Sequence, residues 1–119
     1  MQGTRFTVTY HTAGTLAANH SFIFKLPFDA QLIAVSVANT AATDAILDIG
    51  YTGALEAYVV DLAVGDSSVA SIIDEPGDFV DDNFPHIAAN TNIICTLDYD
   101  GAGGTAAANF TLVLVFTEG

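Results

Sequence analysis

The 119-residue chain has almost no positive charge. Arg5 and Lys25 are its only cations against 14 carboxylates, for a net charge of −12. Binding nucleic acid exchanges phosphate counterions for protein cations, and two cations cannot sustain that exchange. The same shortage argues against attachment to anionic membrane surfaces. Tryptophan is absent, which removes the ring that sugar-binding β-sandwiches commonly stack against a pyranose. A single cysteine, Cys95, cannot form an intrachain disulfide. No run approaches the roughly 20 apolar residues of a membrane span. The opening "MQGTRFTVTYHTAG" lacks the basic start and long apolar stretch of a secretory signal, so synthesis and use without Sec export are expected. Charged residues are also few: 13% against 51% hydrophobic. That balance is too apolar for disorder and leaves a surface of Ala, Thr, Asn and Gly suited to contact with other protein.

The length fits one domain, residues 1–119. A chain of this size buries roughly two-thirds of its unfolded surface. The apolar pattern within it has period two. Residues 5–11, "RFTVTYH", set Phe6, Val8 and Tyr10 against Arg5, Thr7 and Thr9. Further strands are expected at 21–28, 32–38, 45–51, 55–64, 91–100 and 108–118, with a weaker one at 68–74. The last long strand places Phe110, Leu112, Leu114 and Phe116 on one face and Val113 and Val115 on the other. A strand apolar on both faces is a buried central strand or one covered by a neighbouring subunit. Between strands lie Gly, Asn and Asp clusters that supply turns. No stretch pairs helix capping with an apolar stripe of period 3.6. About eight short strands at close spacing imply an all-β, antiparallel β-sandwich, jelly-roll-like. Residues 1–12 form an N-terminal arm or an edge strand.

The densest chemistry is "DEPGDFVDDNF", residues 74–84, with Asp74, Glu75, Asp78, Asp81 and Asp82 close together. It does not match the spacing of a calcium loop, which gathers about six to eight oxygens. Pro76 and Gly77 break any strand, and Phe79 is placed to anchor the segment. A solvated, anchored surface loop is the leading reading. A divalent-cation site is the second, and a catalytic carboxylate pair the third. His11, His20 and His86 are scattered rather than spaced as zinc ligands, and read as ordinary surface or hydrogen-bonded histidines. "GDSSV" lacks the nucleophile-elbow pattern, and "GAGG" precedes neither Lys nor a helix. Cys95 alternates with Ile93 and Leu97 and reads as a buried structural thiol. No catalytic, metal or cofactor site is therefore expected. The candidate contact residues are Arg5, Phe6, Val8 and Tyr10, which alternate like an added edge strand, together with Val113 and Val115.

The segment "FPHIAANTNIICTLDYDGAGGTAAANFTLVLVFTEG" (84–119) resembles the C-terminal half of small β-sandwich head decoration, or cement, proteins of tailed bacteriophages. What is similar is the order: a turn into a strand, an acidic "DYDG", a Gly/Ala/Thr hairpin, then a closing apolar strand ending "FTEG". "LPFDAQLIAVSVAN" and "AILDIGY" are similar in style, and the N-terminal "MQGTRFTVTYHTAG" departs from the pattern. The resemblance implies a non-enzymatic viral structural protein that is made in the host cytoplasm and ends on the outer capsid surface of the virion. It implies binding to the major capsid protein as a homotrimer. It implies no cofactor and no nucleic-acid or membrane partner. A carbohydrate-binding β-sandwich, or a phage adhesin or head-fibre domain, is the alternative.

Overall fold

The computed structural model describes residues 4–119. Two antiparallel sheets face each other. The strands are β1 (Arg5–Thr15), β2 (His20–Phe24), β3 (Ala30–Ala38), β4 (Ile46–Tyr51), β5 (Ala54–Ala63), β6 (Ser71–Ile73), β7 (His86–Ile87), β8 (Ile93–Asp98) and β9 (Ala108–Glu118). One sheet has the order β1-β9-β3-β6, with the two-residue β7 also pairing β3; the other has the order β2-β8-β4-β5. The chain is thus the all-β sandwich that the period-two pattern implies. Two features were not expected: β7, too short to show a period, and two 3-10 turns (Pro76–Asp78 and Val80–Asp82) inside the acidic stretch.

Alternation explains the layers. β9 sits between β1 and β3, and its Phe110, Leu112, Leu114 and Phe116 are fully buried. They meet Leu47, Ile49, Ile93, Cys95 and Leu97 from the opposite sheet. Rings close the β1–β2 side of this core. Phe6 stacks on Phe116 at 5.4 Å, and Tyr10 stacks on Phe22 at 4.1 Å. Burying a side chain of this size contributes about 1.5–3 kcal/mol.

β1 is an edge strand, paired along its length with β9 from Arg5↔Thr117 to Thr15↔Ala108. Phe6, Val8 and Tyr10 point inward and pack on the core. Residues 5–12 are therefore not a detachable arm, and removing them would strip three side chains from the sandwich. Residues 1–3 of the proposed arm lie outside the described residues.

One buried polar side chain ties the loops at one end of the sandwich. Asn39 is 2% exposed. Its Nδ2 donates to the Gly65 carbonyl (2.7 Å), and its Oδ1 accepts from the N–H groups of Ala41 (2.9 Å) and Ala108 (3.2 Å). These bonds fix the exits of β3 and the entry of β9 together, as a buried amide must be satisfied to be tolerated.

Candidate interaction surface

His11 lies on the outer face of β1, its Nδ1 2.8 Å from Thr111 Oγ1. His20 meets the Tyr10 hydroxyl at 3.3 Å on the other sheet, and His86 is exposed on β7. Cys95 is buried, and burial pushes its thiol up to about 12. A thiol so disfavoured as thiolate is no nucleophile at neutral pH.

The acidic stretch 74–82 is a surface feature pinned from below. Phe79 is 4% exposed and packs edge-on to Phe84 at 5.6 Å. The five carboxylates around it are exposed. Asp78 turns back to accept the N–H groups of Asp74 and Glu75, each at 3.3 Å. These carboxylates do not gather.

The carboxylates that do gather are Asp48, Glu56 and Asp61, which can bring ligand oxygens within 4.8 Å of one another. Sequence reasoning missed them because they are spread over 14 residues of alternating strand. The gathering depends on irregularities in β5. The β4–β5 register shifts twice, and Asp61 takes a positive φ of 52°. Its N–H then donates to Asp48 Oδ1 at 2.7 Å. At Gly50 a Cβ would collide with the backbone of Ala54 and Leu55, so only glycine lets β5 cross so closely. Desolvation raises Asp48 above the ordinary 3.8. The Asp61 backbone bond opposes that rise, and the Asp61 and Asp98 charges add to it. Three carboxylates could supply part of a divalent-cation shell. They fall short of the roughly six to eight oxygens of a calcium site, and exposed acids cluster this way on many surfaces.

What remains is surface. The outer face of the β1-β9-β3-β6 sheet is crossed by neutral rows. One runs Thr9–Val113–Ser36–Ile72, and the next Thr7–Val115–Ala34. No carboxylate stands in these rows, in a chain carrying 14. Val113 and Val115 are half-buried by their strand neighbours, and Arg5 stands at the margin. An open concavity of about 340 Å³ lies here, lined by Arg5, Ile33, Ala34, Asp74, Phe84 and Val115. Of the six residues expected to make contacts, Arg5, Val113 and Val115 face this surface. Phe6, Val8 and Tyr10 face the core, because they hold the inward parity of β1. Among the described residues the exposed large aromatic is Tyr51, and its neighbour Tyr58 is tilted 45° to it. That pair does not make a flat platform for a sugar.

No protein-family model matches the sequence, and no curated protein does either. Among solved structures, a chain of the cyanophage Pam1 capsid asymmetric unit matches with a TM-score of 0.52 at 13% identity. The match covers 99% of this chain and 87% of that one. In fold, over nearly its whole length, this β-sandwich is similar to a chain of a phage capsid unit.

Proposed function

We propose that the chain is a structural protein of a phage virion that decorates the outside of the head, binds the major capsid protein and reinforces the shell as a homotrimer. The observation that carries this reading is the whole-length likeness in fold to a chain of a phage capsid unit. A fold by itself does not assign a function, and three further features support the assignment. The strand orders β1-β9-β3-β6 and β2-β8-β4-β5 support reading the sandwich as jelly-roll-like, an architecture common in viral capsids. The buried Cys95, whose thiol is pushed up to about 12, is no nucleophile at neutral pH, which supports a non-enzymatic reading. The rows Thr9–Val113–Ser36–Ile72 and Thr7–Val115–Ala34 give the β1-β9-β3-β6 face a strip without carboxylates or cations, with Arg5 and Asp74 at its margin, so docking on the strip desolvates little charge. In this reading the Val113 and Val115 face lies against capsid protein. Each copy adds a modest interface, and the symmetric array acts as a multivalent clamp against internal pressure. The carboxylate excess keeps the free protein soluble and away from the genome.

The test is co-sedimentation with expanded heads stripped of decoration, followed by heating. Decorated heads should retain their genome to higher temperature. A Val113→Glu/Val115→Glu protein should fold but fail to bind. Equal genome release with and without the wild-type protein would remove the cement role. A glycan-array signal without head binding would favour the adhesin alternative.

A further inference from the structure

Charge is sorted across the sandwich. Residues 1–28 contain no Asp or Glu; all 14 carboxylates lie in residues 29–119, while both cations, Arg5 and Lys25, lie in the first 28. That stretch forms β1 and β2, the edge strands of the two sheets. They lie over each other through Tyr10 and Phe22. One flank of the molecule is therefore free of strand carboxylates and exposes both cations.

The opposite flank is its complement. It is formed by the other two edge strands, β5 and β6, with the 80–82 turn packed beside β5. Glu56, Asp61, Asp66 and Asp74 are exposed on or next to these strands. The flank is also apolar. Val60 is 46% exposed and Ile72 60%, one at each rim of this flank, Ile72 beside Ser36 on the outer side of its sheet. The β1–β2 flank offers Ile23, 61% exposed, in return.

We propose that the β1–β2 flank of one copy docks against the β5–β6 flank of a second copy, head to tail. This rests on the reading above that the chain self-associates, and it names the surfaces. Charge selects the occupant. Pairing the β5–β6 flank with itself would set Asp61, Asp66 and Asp74 against their own kind, and pairing the β1–β2 flank with itself would oppose the cations. Only the unlike pairing brings the chain's two cations to its carboxylates while covering Ile23, Val60 and Ile72. A contact between unlike patches leaves one patch of each kind free at the ends, so it closes into a ring or runs on as a filament. Val113 and Val115, at the centre of the β1-β9-β3-β6 outer face, stay clear of this contact and available to the shell.

The experiment is sedimentation velocity on three proteins, each checked for native circular dichroism. Wild type should run as a closed oligomer that dissociates as salt is raised, because exposed ion pairs are screened. Arg5→Glu/Lys25→Glu, with the first flank disabled, should be monomeric. Val60→Ser/Ile72→Ser, with the second flank weakened, should also be monomeric. An equimolar mixture of the two variants retains one intact contact and should give a heterodimer that grows no further. A monomeric wild type, a charge-reversed variant with the wild-type mass, or a mixture that stays monomeric would each overturn the head-to-tail contact. Decoration is read separately, by adding wild type to stripped heads. A charge-reversed variant that keeps its mass but loses head binding would assign the β1–β2 flank to the capsid and overturn the contact.

Discussion

The two acidic regions of the molecule have opposite histories. The 74–82 stretch is crowded in sequence and dispersed in space: Phe79 is drawn into the core and the carboxylates point into solvent. Asp48, Glu56 and Asp61 are scattered in sequence and gathered in space. Sequence density of charge measures how the chain is written. Spatial density is set by register, and here by the irregular β4–β5 pairing. Asp48 in the gathered group is displaced upward, first by desolvation and then by the Asp61 and Asp98 charges that the register brings near it.

Four variants sharpen this contrast. The largest effect is expected for Phe79→Ala, which removes the anchor of the dispersed region. A buried Phe→Ala change costs about 3–5 kcal/mol, so chemical denaturation should show a markedly lower midpoint. A loss below 1 kcal/mol would mean that the stretch is not pinned through this ring. Next is Gly50→Ala, aimed at the gathered region. Its Cβ would strike the Ala54–Leu55 backbone, and forcing β5 away should cost about 1–3 kcal/mol. Retained stability would show that the crossing can widen freely.

Asp48→Asn should act in the other direction and depend on pH. Asp48 is raised above 3.8 in the folded state, so the folded protein holds its proton to higher pH than the unfolded chain does. Its charging therefore removes stability as pH rises from about the unfolded value through the raised folded one. The Asn variant, which can still accept the Asp61 N–H, should melt slightly above wild type at pH 7, and the gap should close below pH 4 as Asp48 is protonated in both states. A gap that persists at low pH would assign the effect to packing. The smallest effect is expected for Asp81→Asn/Asp82→Asn, within about 0.5 kcal/mol of wild type. Both positions have positive φ, 62° and 54°, a region that Asn accepts readily. Calcium that raises the melting temperature of wild type, with the shift lost in this variant, would make the stretch a metal site after all.

The sheet strands were legible because alternation is a local property. Phe110 to Phe116 announced their own face, and Phe79 stood out as an apolar residue among acids. What was not legible depends on partners far away in sequence. The inward turn of Phe6, Val8 and Tyr10 follows from which side of β1 meets the second sheet, and period two gives a face without saying which way it points. Asn39 looked like one more turn residue in "NTAATD", yet it holds Gly65 and Ala108. The flank polarity had a signal that was available: no carboxylate precedes Asp29. Its meaning required the topology that makes β1 and β2 both edges.

The pairing of β1 with β9 also sets the order of events when the chain folds. Residues 5–15 find their partner at 108–118, and β3 waits for the same strand on its other side. A ribosome must deliver nearly the whole chain before this sheet can close, and until then β1 has no hydrogen-bonded strand partner. Closure across such a span carries a large loop entropy, so refolding should fall in the slow, millisecond-to-second range of high-contact-order β proteins. A chain cut before residue 108 would leave both β1 and β3 without their common partner.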